Sequence, residues 1–483
     1  MAEGSVTIYP DREIGRIDKK IYGHFLEHLE NVIYDGIYDP KSPKSDKMGL
    51  REDVITAIKE MGGAQVLRWP GGNFASYYHW KDGIGPKKSR PQRFDVVFEN
   101  KESNHMGTDE YLALCRKLEC EPFITANMGS GSIEEACQWV EYCRHQNRQP
   151  PVRIWGLGNE HFGPWQVGYY TAEEYGRKAQ QYAQFMRAVQ KDLQFVGVGY
   201  TEPAWNETVL QHCGHSLEWL SIHMYAHRDF MDGKDDFDRT VAMPVFFEKE
   251  MREMADTIEN WERKSNRKEP LKICFEEWNS RHLKNEGQLD RQSPRNITDA
   301  LFTAGVFNVC QRMADRVTMS NFVFLINTHA PIVVKGDQIL RSATFDVFRL
   351  YATRSQPVSV QADAQSVGFS ADIKPIGNWG QDNFTLQAKR LDVSATRSVD
   401  GKKMTVFLSN LEKEKPMSVR LNIAGQSPPE SGVLHTVGAD SVLTVNTLAE
   451  PNKVRSVTKN ISNLSQPVEL PPHSVNVLEI SLG

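Results

Sequence analysis

From about residue 20 to residue 355, short apolar runs alternate with longer amphipathic stretches. The runs are KIYGHFLE (20–27), QVLRWPGG (65–72), EPFITANM (121–128), RIWGLGNE (153–160), FVGVGYTEP (195–203), EWLSIHMY (218–225), KICFEEWN (272–279) and NFVFLINT (321–328). Near-continuous hydrophobicity over a few residues is what a parallel strand buried on both faces requires. The stretches between them carry the helical period. In TAEEYGRKAQQYAQFMRAVQKD (171–192), Thr171 and Glu174 form a capping-box pattern, and Tyr175, Ala179, Tyr182, Met186 and Val189 recur at steps of four and three. Eight strand-then-helix units predict an α/β fold, a (β/α)8 TIM barrel over residues 20–355.

Beyond residue 355 the period changes to two. TLQAKRLDVSATRS, KMTVFLSNL, MSVRLNIAG, SVLTVNTL and SVNVLEISL read as strands separated by Gly, Pro, Asn and Ser clusters. They predict a C-terminal antiparallel β-sandwich domain over residues 356–483. The segment 1–19 contains SVTIYP, which is expected to pair with that sandwich because the first barrel strand begins only near residue 20.

Composition narrows the classes of function. A chain of 483 residues with 40% hydrophobic and 25% charged residues can fill a sizeable core. A net charge of -5 and a pI near 6.3 lack the basic footprint of a nucleic-acid binder. No stretch approaches the ~18 consecutive apolar residues of a membrane span. The opening MAEGSVTIYPDREIGRIDKK has no apolar h-region, and the seven cysteines carry no C-x-x-C pair, so reduced thiols are expected. These features point to a cytoplasmic location, or to an extracellular one if a signal peptide has been removed.

In a TIM barrel, chemistry sits at the C-terminal ends of the strands. Reading those ends gives Glu27, Asn73, Asn127, Asn159-Glu160, His223, Tyr225 and Glu276-Glu277-Trp278-Asn279. Such a ring of carboxylates, amides and aromatics suits a sugar. Two carboxylates facing each other across the mouth are what glycoside cleavage needs, one to protonate the leaving oxygen and one to attack or to activate water. Of the Glu276-Glu277 doublet only one is expected to enter the mouth, since adjacent strand residues face opposite sides. His24 and His28 lack an H-x-H or H-E-x-x-H context and read as structural, not metal ligands. GLGNEH and GSGSIE both lack the third glycine of a dinucleotide loop. Trp80 and Trp165 lie just beyond strand ends, where sugar platforms belong.

The blocks IYGHFLEHLENVIYDGIYDP, LRWPGGNFASYYHWKDGIGP, GLGNEHFGPWQVGYYTAEEYGR, SIHMYA and FEEWN resemble glycoside hydrolase family 51, the α-L-arabinofuranosidases, in order and spacing across the whole chain. The resemblance implies a retaining, homo-oligomeric enzyme that acts on carbohydrate and needs no metal or cofactor. It implies Glu160 as general acid/base, Glu277 as nucleophile, and Glu27, Asn73, Asn159 and Tyr225 as residues that hold the furanose. The chain departs from the family at several positions. Glu276 stands where Asp is common, His161-Phe162 where Met-Asp is usual, Phe98 where a Trp walls the leaving-group side, and Phe324 where a Gln contacts the sugar. Phe98, His161, Phe162 and Phe324 are therefore expected to bear on specificity. A galactofuranosidase, a β-xylosidase, an endo-β-glucanase or a non-catalytic carbohydrate-binding protein stand as the alternatives.

Overall fold

The computed structural model describes residues 1–144, 150–229, 236–285, 288–374, 383–427 and 429–482. Eight parallel strands follow the apolar runs: β1 (Gly23–Phe25), β2 (Val66–Trp69), β3 (Glu121–Ala126), β4 (Ile154–Leu157), β5 (Gln194–Gly197), β6 (Trp219–Asp229), β7 (Lys272–Asn285) and β8 (Val317–Phe322). They close into a ring, because β7 pairs with both β6 and β8, and β8 returns to β1 through Asn321 opposite Gly23. After each strand comes one of eight helices: α1 (Glu52–Glu60), α2 (Thr108–Leu118), α3 (Ile133–Arg144), α4 (Ala172–Val189), α5 (Pro203–Cys213), α6 (Phe237–Ser265), α7 (Ile297–Arg312) and α8 (Phe345–Arg354). The capping box of α4 forms as the sequence predicts, with Glu174 accepting from Thr171 N at 2.9 Å.

Inside the ring, Val66, Phe123, Ile154, Val196, Trp219, Cys274 and Met319 form a separate apolar plug. Packed side chains thus fill the base of the barrel, and the polar groups stand above them at the C-terminal ends. The eighth strand ends earlier than its apolar run: β8 stops at Phe322, whereas the run extends to residue 328. Val323, Phe324, Leu325 and Ile326 are buried in the loop beyond it, so here hydrophobicity reports burial without strand pairing.

The terminal domain is the expected antiparallel β domain: one curled nine-stranded sheet, with a separate hairpin of Gly368–Ile373 and Phe384–Lys389. The opening strand Ala2–Arg16 lies within it, antiparallel to Val358–Ser366 and parallel to Met417–Ile423. All other pairings in the sheet are antiparallel. Its inner face carries Val6, Ile8, Val360, Val406, Leu421, Leu478 and their neighbours. The segment SVLTVNTL is not a strand of this sheet. It lies against the barrel, where Val442 O accepts from Thr298 N and Asn446 donates to Arg341 O, so its backbone groups are satisfied away from the ladder. The strands Gly432–Gly438 and Arg455–Ile461 take the sheet edge instead.

Helix α7 joins the two halves. It is buried from Ile297 through Gln311, and such a helix must be apolar or internally satisfied all round. Two of its polar residues, Asn308 and Gln311, face the sheet: Gln311 accepts from Ser394 Oγ, and Asn308 donates to Asp392 (2.7 Å) and accepts from Ser394 Oγ and from Tyr351 Oη of α8, both at 2.7 Å. An Asn308→Leu variant leaves the fully buried Tyr351 hydroxyl unmatched, costing about 1–3 kcal/mol. The expected result is a clearly lower urea midpoint than that of the parent protein.

Candidate active site

The ends of β2, β4, β6 and β7 converge on Arg68, a fully buried arginine in β2. Its Nη1 donates to Glu277 Oε1 at 2.6 Å, its Nη2 to Asn159 Oδ1 at 2.8 Å, and its Nε lies 3.1 Å from Glu276 Oε1. The guanidinium carbon lies 4.8 Å from the Phe25 ring centre and 5.8 Å from that of Phe123. Aromatic rings thus lie against the guanidinium while its edge is turned to polar partners.

Both carboxylates of the Glu276-Glu277 doublet point inward, so the expected alternation of faces fails, although only Glu277 lines the cavity at the mouth. Toward β6, Phe275 faces Ile222 and Glu277 already faces His223. Toward β8, Phe275 faces Ser320 and Trp278 faces Phe322. Both neighbours show one extra residue in β7, a bulge that breaks the alternation of faces. Glu277 also accepts from Tyr225 Oη at 2.6 Å. Burial works to raise its pKa, but the charges of His223 and Arg68 and the bonds from Tyr225 and Arg68 outweigh it and bring the value down to about 2. Glu277 is therefore ionised at neutral pH. The backbone makes room for it at Gly72, where a Cβ would come within 2.6 Å of Glu277 Oε1.

His223 bridges the second carboxylate to the doublet. Its Nδ1 bonds Glu160 Oε1 and its Nε2 bonds Glu276 Oε2, both at 2.9 Å. Burial opposes its charge, yet Glu277, Glu160 and Glu276 together lift its pKa to about 10. Glu160 follows β4 by three residues with a φ of +43°, a left-handed conformation held by the surrounding turn. Its other oxygen accepts from Trp165 Nε1 at 2.7 Å. Single atoms of Glu160, His223 and Glu277 lie within 4.8 Å of one another. That trio has the residue types of a metal site. Both imidazole nitrogens of His223 are, however, already bonded to carboxylates.

Glu27 closes the group from β1, accepting from Gly72 N (2.8 Å) and Phe74 N (3.2 Å). Burial and the nearby Glu277 charge raise its pKa to about 7. Above these residues opens a cavity of about 340 Å3, lined by Glu27, Asn73, Phe98, Glu160, Trp165, Tyr225, Glu277 and Phe324 among others. Asn159 lies below the lining and donates to Asn73 Oδ1 at 2.9 Å. Phe324 faces the cavity and stacks on Phe25 at 5.4 Å.

Other expected positions lie elsewhere. His161 is fully buried, bonded to Gly168 O and packed on Tyr170 and Tyr175. Phe162 stacks on Tyr200 at 4.0 Å and meets Trp165 edge-on, so it supports that indole from behind. Neither lines the cavity. Trp80 is buried against Trp139, in the core and not at the mouth. Asn127 caps its own loop by accepting from Ser130 N and Gly131 N. His28 bonds Glu102 and Trp69, and His24 is buried and neutral, its pKa pushed by burial to about 3.

Arg68 is the residue that strand-end reading misses, because it sits in mid-strand. The signal was present in VLRWP: an arginine within an apolar run is almost never fully buried unless it is paired, so it implies inward carboxylates.

Residues 57–242 match the family described as "Alpha-L-arabinofuranosidase 1 domain", and residues 276–474 match "Alpha-L-arabinofuranosidase C-terminal domain". Alpha-L-arabinofuranosidase C of Emericella nidulans is 31% identical over 506 aligned positions, covering 98% of this chain and 96% of the relative. The intracellular exo-alpha-(1->5)-L-arabinofuranosidase of Acetivibrio thermocellus is 33% identical, covering 69% of this chain and 72% of the relative. The thermostable GH51 alpha-L-arabinofuranosidase of Thermotoga petrophila superposes with a TM-score of 0.89 at 32% identity, over 99% of this chain and all of that one.

The raised pKa of His223 has a consequence for stability. The folded protein holds this proton up to about pH 10, whereas an ordinary histidine loses it near 6.5. The stabilisation is fully present below 6.5 and is lost as pH rises through about 10. Removing the imidazole in His223→Gln removes this dependence. Melting temperature is expected to fall less steeply across that alkaline window in the variant than in the parent.

Proposed function

The chain belongs to glycoside hydrolase family 51, the α-L-arabinofuranosidases, and from that footing we propose Glu277 as its nucleophile and Glu160 as its general acid/base. The enzyme is a retaining glycosidase that removes arabinofuranosyl units from the non-reducing ends of arabinose-containing saccharides. What carries the assignment of residues is the pair of carboxylates on β4 and β7 with oxygens within 4.8 Å. A spacing of ~5–5.5 Å between carboxyl groups suits direct attack, since no room is left for an intervening water.

In the first step Glu277 attacks the anomeric carbon, the bond to the leaving oxygen breaks, and Glu160 gives that oxygen its proton. The product is a glycosyl ester on Glu277. In the second step Glu160, now a carboxylate, takes a proton from water while the water oxygen displaces Glu277 from the same carbon. Arg68 and Tyr225 keep Glu277 ionised and aimed. His223 donates to Glu160 in either protonation state and steadies it through the cycle. Glu27, Asn73 and Tyr225 line the cavity and hold the furanose hydroxyls, with Asn159 supporting Asn73 from below. The roles in specificity fall to Phe98 and Phe324 as apolar walls, while Phe162 acts from behind Trp165 and His161 through its packing on Tyr170 and Tyr175.

We extend the reading to α-(1→5) linkages, in which the Acetivibrio relative is named as active. A cytoplasmic location is supported by seven free cysteines and by that relative's description as intracellular. No described helix is long and apolar enough to cross a membrane. A homo-oligomer follows from the family resemblance and is measured by sedimentation.

A mechanism-based arabinofuranosyl inhibitor is expected to label Glu277. It lines the cavity, whereas Glu276 is locked between Arg68 and His223. Peptide mapping that finds the label on Glu276 reverses the assignment. Glu160→Ala is expected to slow substrates with poor leaving groups by ~10²–10⁴-fold, with far smaller losses on activated aryl glycosides and partial rescue by azide. Equal losses on both substrate types, without rescue, count against Glu160 in this role.

A further inference from the structure

Beyond Glu277, β7 continues past the barrel rim, and Arg281 lies on the same strand face as Glu277, opposite His227 of β6. Arg281 lines the catalytic cavity. Its guanidinium carbon lies 3.2 Å from the centre of the Tyr225 ring, and among the described residues no carboxylate pairs with it. His227 beside it is half-buried and neutral, its pKa lowered to about 3 by desolvation and the nearby Arg281 charge. Arg291, near the rim of the same cavity, makes one ion pair, a partly exposed 3.4 Å contact with Glu30.

The carboxylates beneath Arg281 have their own partners. With Glu160 in the acid form used by the first step, Glu276 and Glu277 face two cations, Arg68 and His223, and Glu27 accepts from the backbone of Gly72 and Phe74. The Arg281 guanidinium is stacked by one face on the Tyr225 ring, and among the described residues its N–H fork has no carboxylate partner. Such a fork matches a carboxylate with two parallel hydrogen bonds, and a neutral hydroxyl leaves its charge unmatched.

We propose that the enzyme acts on arabinofuranosides whose leaving unit carries a carboxylate, a uronic acid, read by Arg281 with Arg291 extending the positive field at the rim. The inference rests on the arabinofuranosidase reading: the arabinose itself is neutral, so the anion belongs to the unit it is attached to. A carboxylate on that unit also stays clear of Glu277, which would repel it at the reaction centre.

The test uses two disaccharides that differ only in the leaving sugar, α-L-arabinofuranosyl-galacturonic acid and α-L-arabinofuranosyl-galactose, with the full-length protein. The expected kcat/KM ratio favours the acid by roughly tenfold or more at low salt, as for hydrogen bonds to charged groups, and narrows as salt rises. Arg281→Gln brings the ratio to about one, and Arg281→Lys retains part of it. Should Arg281→Gln fail to fold, Arg291→Gln and the salt dependence of the parent enzyme carry the test, both lowering the ratio. Equal kcat/KM on the two disaccharides overturns the inference and leaves the arabinofuranosidase reading intact. Arabinose release from neither overturns that reading and the inference with it. A preference for the acid that survives Arg281→Gln takes the role away from Arg281. Equal losses on both substrates in that variant would make Arg281 a positioning group for Tyr225 and also overturn the proposal.

Discussion

The site depends on one buried guanidinium. Arg68 stands directly above the apolar plug of the barrel and contacts Glu276, Glu277 and Asn159 with its three nitrogens. Without it, two carboxylates adjacent in sequence and both turned inward would be buried side by side, and one would take up a proton. With it, Glu277 keeps its charge where burial alone would remove it. A charge pair of this kind adds little to stability once desolvation is counted, and removing one partner is costly. Its value lies in keeping Glu277 ionised in the cavity, as its proposed role as nucleophile requires.

The carboxylates form a chain, not a simple pair. Glu160 connects through His223 to Glu276, and Glu276 connects through Arg68 to Glu277. Each anion is thus separated from the next by a cation. The side chain of Glu276 reaches both cations from a bulged position. The alternation allows a site with four glutamates to hold one firmly ionised carboxylate and one whose protonation changes during turnover. Glu27, with its pKa near 7, lies at the edge of this chain and is less firmly charged.

The scaffold holds these atoms in place through packing on both sides. From outside the ring, α7 is clamped between barrel and terminal sheet, with Asn308 and Gln311 satisfied by residues from both. Across the mouth, Asn279 donates to the carbonyls of Val323 and His329, tying the loop after β8 to β7 and so setting where Phe324 meets the cavity. The opening strand, by pairing inside the terminal sheet, ties the N-terminal segment to the C-terminal domain.

Sequence alone determined the eight-unit barrel, because parallel strands buried on both faces leave dense apolar runs and amphipathic helices leave a 3.6-residue period. It also located Glu160, Glu277, Glu27, Asn73 and Tyr225, since chemistry in this architecture gathers at strand ends and the order of strands converts spacing into proximity. Tertiary structure alone decided what local periodicity cannot encode. The bulge that turns both Glu276 and Glu277 inward is a mismatch between β7 and its two neighbours, visible only once the strands are paired. Phe324 and its neighbours are buried in a loop because that loop is roofed by β7, though their apolar pattern reads as a strand. His161 and Phe162 follow Glu160 directly, yet the left-handed turn at Glu160 carries them behind the cavity wall. SVLTVNTL alternates like a strand, and it leaves the sheet because the barrel satisfies its backbone. In each case the deciding contact joins segments far apart in the chain, and long-range contacts select among conformations that local sequence leaves equally open.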